Sequence, residues 1–477
     1  MRNFALAALP AAMLLLSGCS MLPSFERPAA PVAAQWPQPA LAAGQAKAVG
    51  LSWQQMLPDP RLQALIEAAL TNNRDLRISV ARIEEARALY GISRADLLPT
   101  LNLNAGESAA RVPADLTGTG QARTSRRYDV ALGVTAFELD FWGRVKSLSE
   151  AARASYLATE EARNAFRIGL IADVAGTYFS ARELDERVAL TRATLENRKN
   201  LRFLVEKRRD VGLAGELDYL AANGAYEAAR AELASLERSR AQAENALALL
   251  VGGQPDGLPE GRSLRDQGVV GDLAVTVPSE ALLARPDVRA AEQRLIAANA
   301  NIGAARAAFL PRIGLSLALG SASGGLSGLF DSGSGAWTFA PSLVQPLFDS
   351  GRNQAGLSLA EARKVIAVAD YEKTIQQAFR EVADLLAARD RLAEQIKAQE
   401  ANEKAQSDRL ALVEARQKAG ASSYLEVLDA QRDAYTAQQG TVQARTALLV
   451  TNAQLYKALG GGQDQAAPEQ SAIAAKP

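Results

Sequence analysis

One thiol and no imidazole bound the chemistry open to this chain. The thiol belongs to Cys19, which follows Leu16-Ser17-Gly18 in the pattern of a bacterial lipobox. In that pattern the signal is cut before the cysteine and the sulfur is acylated, so a covalent lipid on Cys19 is the one attached group to expect, with no other cofactor. Ser20, rather than Asp, after it is the pattern of lipoproteins sent on to the outer membrane. Without His there are no Ser-His or Cys-His nucleophiles and no imidazole metal ligands, and a single Cys forms neither an internal disulfide nor a thiolate metal cage. The 53 carboxylates thus have no partner group for acid-base or metal chemistry, which argues against an enzyme. They balance 53 Lys+Arg, and a neutral chain argues against nucleic acid as a partner. One charged set has regular spacing: Glu426, Asp429 and Arg432 stand at i, i+3 and i+6, near one face of a helix.

The elements that must carry these residues follow from the prolines. None occurs between Pro113 and Pro255 or between Pro346 and Pro468, and both tracts are rich in Ala, Leu, Glu, Arg and Gln. Since an interior proline costs about 3 kcal/mol, these are the stretches where long helices are permitted. Ile171, Val174, Tyr178 and Ala181, and again Ile375, Phe379, Val382 and Leu386, recur at alternating spacings of three and four, as in coiled coils. A helix from Gly143 to Asp210 would reach on the order of 100 Å. After the apolar run Phe4 to Leu16, no stretch is long and apolar enough for a membrane helix, so any crossing must use strands.

The chain is an internal duplication. A shift of 208 lays Gly143-Arg144 on Gly351-Arg352, Val174 on Val382, Gly212 on Gly420, Leu217 on Leu425 and Gly252 on Gly460. A shift of 212 lays Asp75 on Asp287, Gly91 on Gly303 and Leu98-Pro99 on Leu310-Pro311. The four extra residues of the first copy belong most simply to a loop near Ala110 to Arg127. The expected organisation is a signal peptide at 1–18, a Pro/Ala/Gln-rich extended strap at 19–60, a first repeat at 61–254, a linker at 255–284, a second repeat at 285–460 and a tail at 461–477.

Between the helical tracts lie four alternating segments. Leu101, Leu103 and Ala105 alternate with Asn102 and Asn104; Val130, Leu132, Val134 and Ala136 return; Ile313, Leu315 and Leu317 alternate with Gly314 and Ser316; the fourth runs from Ala336 to Phe348. Phe137, Phe141, Trp142 and Phe348 are expected at the end where strands rejoin helices, and Trp337 and Phe339 at the opposite end, as two interfacial girdles. Four strands in lipid leave two unpaired edges, so other copies must close the cylinder. A soluble α+β protein with short sheets on its helices is the alternative.

The chain resembles the TolC/OprM-like outer-membrane factors, the channel components of tripartite efflux pumps. The resemblance rests on the lipobox, on Trp53 with Pro58-Asp59-Pro60-Arg61-Leu62, on Phe137-Glu138-Leu139-Asp140-Phe141-Trp142-Gly143-Arg144, on Arg285-Pro286-Asp287-Val288-Arg289-Ala290-Ala291-Glu292, on Ala298 to Pro311 and on Tyr424 to Arg432. It implies a mainly α fold with a membrane β-barrel: a homotrimer with a 12-stranded β-barrel in the outer membrane and a 12-helix α-barrel across the periplasm. The implied function is a passive exit duct for drugs or other small toxic compounds, with a periplasmic adaptor and an inner-membrane pump of RND type as partners and outer-membrane lipid around it. A conduit for type I protein secretion, or a periplasmic coiled-coil adaptor without a pore, remain as alternatives. By the resemblance, Tyr424 to Arg432 lie at a periplasmic tip where Glu426 and Asp429 form acidic rings and Arg432 bridges chains to hold a gate closed. Asp218, the first-copy counterpart of Glu426, would make a further lumen or inter-helix contact, and the turns at Gly212 and Gly420 would receive the adaptor.

Overall fold

The computed structural model describes residues 20–33, 35–37, 51–270 and 278–461. The signal segment 1–18, Cys19, parts of the strap and linker, and 462–477 lie outside the described residues. Two compact units divide the chain, and each draws on both halves of the duplication: one from 1–29, 82–160 and 290–371, the other from 30–81, 161–289 and 372–477.

The helices are α1 (Trp53–Met56), α2 (Pro60–Asn72), α3 (Arg74–Ala95), α4 (Arg144–Asp210), α5 (Glu216–Val251), α6 (Pro278–Leu283), α7 (Pro286–Ala307), α8 (Arg352–Lys418) and α9 (Tyr424–Ala458). The strands are β1 (Leu101–Val112), β2 (Arg123–Glu138), β3 (Arg312–Ser323) and β4 (Gly335–Val344). The duplication is visible residue for residue: α3 and α7 share 22 residues at the shift of 212, and α4 and α8 share 67 at the shift of 208. None of these helices is long and apolar enough to cross a membrane among the described residues.

The first unit holds one antiparallel sheet in the order β1-β2-β3-β4. Because side chains alternate across a pleat, its register sorts them into two faces. One carries Leu101 and Leu103, Val130, Leu132, Val134 and Phe137, Ile313, Leu315, Leu317 and Leu319, and Trp337, Phe339 and Leu343; the other carries Asn102, Asn104, Ala131, Gly133, Gly314, Ser316, Ala318, Gly320, Thr338 and Ser342. The apolar face is open: Leu103 and Leu319 are each 69% exposed and Trp337 75%. The other face is crowded at its glycines. A Cβ at Gly133 would stand 2.6 Å from the Leu317 carbonyl oxygen, and one at Gly320 would run into the Val130 carbonyl. A bulge between Val134 and Phe137, with Ala136 at φ 53° donating a hydrogen bond from its N–H to Ser316 Oγ, bends β2.

The register corrects two expectations. Phe339 pairs with Leu317, two residues from the rung of Leu315 and Phe137, so it sits mid-strand rather than at the far end. Trp337, by contrast, lies on the Leu319 rung, two residues from the start of β4. Tyr128 pairs with Ser323 at the last β2–β3 rung, ten residues from Ile313 along β3. Phe348 lies beyond the end of β4. The extra residues near Ala110 to Arg127 are largely ladder, not loop: Ala110, Arg111 and Val112 pair with Ser125, Thr124 and Arg123.

Where sheet meets helix, Trp142 Nε1 donates to the Pro311 carbonyl at 2.8 Å and Arg144 grips Glu138 through two contacts of 2.7 Å. Phe141 beside them is 37% exposed. The strap starts here, with Met21 N–H donating to the Trp142 carbonyl. It then runs antiparallel to α7: Leu22 crosses at Gly303, Pro23 accepts from Asn299 Nδ2 at 2.9 Å, and Arg27 pairs with Glu292 at 2.7 Å. Five extended residues cover about 16 Å, as do the eleven helical residues from 303 to 292, so the strap is taut. Gly303 is required, since a Cβ there would lie 2.9 Å from Leu22 Cα and 2.7 Å from Ser147 Oγ.

The second unit is centred on α4 and α8, which bury Ile171, Val174 and Tyr178, and Ile375, Val382 and Leu386. Phe379 leaves that seam to stack on Trp36 of the strap, centroids 4.9 Å apart, and Ala378 takes the buried place. Two motifs of the sequence turn out to be buried polar hubs. Asp59, 1% exposed, accepts from Arg61 and Leu62 N–H as the cap of α2, and from Tyr178 Oη (2.8 Å), Arg262 N–H (2.9 Å) and Gln267 Nε2 (3.0 Å). Arg285, also buried, donates to Asp287, to Glu381 at 2.9 Å and to the Ala458 carbonyl at 2.7 Å. Each ties a loop to distant helices, and because a donor left unpaired inside costs about 1–3 kcal/mol, each is fixed by all its partners together.

Candidate functional site

Two hairpins of the second unit carry the predicted site residues: α4 turns into α5 through 211–215, and α8 into α9 through 419–423. Both turns are the same Schellman closure. Gly212 at φ 76° donates to the Arg209 carbonyl and Leu213 to that of Arg208; Gly420 at φ 75° donates to Gln417 and Ala421 to Arg416. Left-handed backbone is what glycine adopts without steric cost, which accounts for both positions.

The next residues cap the following helices. Ser423 Oγ accepts from the Glu426 N–H, and in the first hairpin the Asp218 carboxylate accepts from the Gly215 N–H at 3.2 Å. Within one chain the Asp218 carboxylate is thus engaged by its own turn. Glu426 is exposed and has no ion pair among the described residues. Asp429 and Arg432 pair at 3.3 Å, but along one helix, with Asp429 half-buried and Arg432 exposed. Arg432 also reaches Asp433 at 3.1 Å. Within one chain this pair spans no interface.

What crosses between helices was not singled out in the sequence. Arg208 near the end of α4 donates to Tyr424 Oη at 2.9 Å, its guanidinium 5.3 Å from that ring, and so joins the first hairpin to the second. Arg198 lies over Tyr435 of α9 at 5.9 Å, while Arg202 and Arg209 lie over Tyr226 and Tyr219 of α5 at 4.4 and 4.1 Å. The lower part of α4 thus grips both neighbours through cation–π contacts, each worth about 0.5–1 kcal/mol when exposed. Arg409 of α8 meets Asp433 of α9 at 2.8 Å; its hydrogen bond and that of Arg432 hold the Asp433 carboxyl below its ordinary range. Beside them Gln399, Asn402, Gln406, Gln439 and Gln443 line an open groove of about 740 Å³. The two halves themselves held the missed signal: at the shift of 208, Tyr424 falls on Glu216, so the aromatic exists only where the second hairpin touches the first.

A four-stranded sheet with free edges, an exposed apolar face and long paired helices describes a membrane channel subunit, and the comparison with known proteins agrees. Residues 65–253 and 277–461 match the family described as outer membrane efflux protein. The chain belongs to that family. It is 46% identical to outer membrane protein OprJ of Pseudomonas aeruginosa over 454 residues, 95% of each chain, and 45% identical to the toluene efflux pump outer membrane protein TtgI of Pseudomonas putida over 457 residues, 94% of this chain and 97% of that one. Among solved structures it is similar to a membrane protein from Pseudomonas aeruginosa, with TM-score 0.88 and 45% identity over 94% of this chain and 99% of that one. It is likewise similar to the open state of the Neisseria gonorrhoeae MtrE outer membrane channel, with TM-score 0.85 and 41% identity over 93% and 98%. This outer membrane efflux protein accordingly resides in the outer membrane as a channel component, and its family is one of ducts rather than enzymes.

Proposed function

We propose that three copies of this chain close one twelve-stranded barrel and one helical tunnel, forming the passive exit duct of a tripartite efflux pump. The observation that carries this is the sheet: β1 and β4 are open edges, one face is apolar and exposed, and the other is lined by Gly, Ala, Ser and Asn. An open edge in lipid leaves amides unpaired at several kcal/mol each, so β4 of one copy must meet β1 of the next. The apolar face then meets lipid and the other encloses water.

The hairpin turns form the tip that gates the tunnel. Arg208 with Tyr424 holds the second hairpin against the first, and half-buried Asp429 with exposed Glu426 and Arg432 are available to neighbouring copies. An adaptor docks at the Gly212 and Gly420 turns, where Val211, Leu213, Leu217 and Leu425 stay exposed at 68, 69, 79 and 58%. An inner-membrane pump of RND type supplies the cargo, small apolar toxicants such as the solvents and antibiotics for which related pumps are named. No bond of the cargo is made or broken. A covalent lipid on Cys19 would anchor the chain in the outer membrane. Bilayer recording of the purified protein tests the proposal: discrete channels in multiples of one unit support it, and silent membranes at full protein incorporation oppose it.

A further inference from the structure

The β1–β2 hairpin outruns its neighbours. β3 ends at Ser323 and β4 begins at Gly335, yet the β1–β2 ladder continues past the Tyr128 rung to Val112 and Arg123. Counted from Ile313 at the helix end of β3, an apolar band about 25 Å tall crossed at a tilt near 40° ends about ten residues on, at the Ser323–Tyr128 rung, so the rungs beyond it stand above the hydrocarbon. On the lipid-facing side of these rungs lie Arg126, opposite Ala109, and Arg111, opposite Thr124. The two arginines are diagonal same-face neighbours, about 7 Å apart at Cβ, so their side chains can converge on one anion. Both are exposed, and neither makes an ion pair among the described residues. Glu107 is the only acid on this face of the ladder and sits lower, on the Tyr128 rung. The opposite face carries Arg123 and Arg127, and Arg127 is already engaged with Asp129 at 3.4 Å.

We infer that Arg111 and Arg126 form an outward clamp for the phosphate groups of a phosphorylated glycolipid in the outer leaflet. The inference rests on the sheet lying in the outer membrane, and goes beyond the duct itself. Going outward, the face runs from leucines through a tyrosine to two unpaired guanidiniums, matching acyl chains, the interface and anionic headgroups in turn. Guanidinium is the group suited to phosphate, binding it through paired N–H donors with a strength well above neutral hydrogen bonds. A lipid-linked phosphate is held at this height by its own acyl chains, whereas a free anion is not, which is why the patch fits the lipid.

The test uses the full-length protein in phosphatidylethanolamine vesicles doped with bisphosphorylated lipid A, lipid A stripped of phosphate, or inorganic phosphate, with retained lipid counted by native mass spectrometry. Wild type should retain the phosphorylated lipid, and R111Q/R126Q should weaken retention on the order of 10- to 100-fold, since withdrawing one guanidinium from the phosphate weakens binding by about a factor of ten. R123Q/R127Q, on the other face, should retain lipid as wild type does. Equal loss in both double variants, equal retention of the phosphate-free lipid, or displacement by millimolar inorganic phosphate each overturns the inference. Channel conductance recorded in parallel stays at the wild-type level in R111Q/R126Q, so a failed clamp and a failed duct give different results.

Discussion

Tyr424→Phe isolates the contact that joins the two hairpins. The substitution keeps the ring under Arg208, 5.3 Å away, and removes only the hydroxyl that accepts at 2.9 Å. The bond is part-buried, so its net worth is about 1 kcal/mol. If the closed tip depends on it, each copy shifts toward opening by about fivefold, and three copies moving together shift by roughly a hundredfold. Asp429→Ala with Arg432→Ala removes a partly exposed pair within a single helix, so its effect through the chain's own contacts should be far smaller. The readout is open probability in planar bilayers at fixed protein incorporation. A rise for Tyr424→Phe that exceeds the rise for the double alanine variant supports the Arg208 link as the latch. Unchanged gating in Tyr424→Phe, with a large rise in the double variant, would refute this reasoning and return the latch to contacts between chains.

Other outcomes follow from the same geometry. Leu103→Arg places a charge near the middle of the apolar band at a cost of about 2–4 kcal/mol and should abolish assembled channels, whereas Asn104→Arg, on the opposite face, should assemble and alter ion selectivity; heat-modifiable mobility on gels and conductance distinguish them. Gly303→Val drives a branched side chain into Leu22 and should release the strap, seen as cleavage after Glu26 by a glutamyl endopeptidase where wild type resists. Tyr178→Phe deprives buried Asp59 of one donor and should destabilise by about 1–2 kcal/mol in denaturant titrations, with Asp59→Ala costing more because four donors lose their acceptor besides Tyr178. Arg409 and Arg432 depress the Asp433 carboxyl below 3.8, so its contribution is present above that value and is lost as pH falls through the lower folded one; loosening of the α8–α9 contact should begin only below about pH 3.8 and be absent in Asp433→Asn.

Helix lengths were legible because proline is so costly inside a helix that its absence over a hundred residues marks where long helices run. The duplication fixed the pairing of elements, and α3 with α7 and α4 with α8 coincide to the residue. Strand faces followed from alternation. Strand register did not, because alternation has a period of two and is silent on which rung faces which; Phe339, expected at a strand end, pairs mid-strand with Leu317. The tip charges illustrate a second limit. Spacing along one helix identified Asp429 and Arg432, whose contact is local, but Arg208 and Tyr424 are 216 residues apart and meet only in three dimensions. Asp59 and Arg285 stood in recognisable motifs, yet their role as buried hubs depends on partners such as Tyr178 and Glu381 that no local pattern reveals.

Closure of the barrel by neighbouring copies is tested most directly by disulfide trapping across the edges. Single cysteines at Asn102 or Asn104 on β1 are combined in one chain with cysteines at Thr338, Ala340 or Ser342 on β4, all on the face opposite the apolar one, and the membranes are oxidised before denaturing gels. For at least one combination the covalent ladder should stop at three chains, with the three-chain product closed into a ring. Monomers alone in every combination, or ladders continuing past three, would contradict the account.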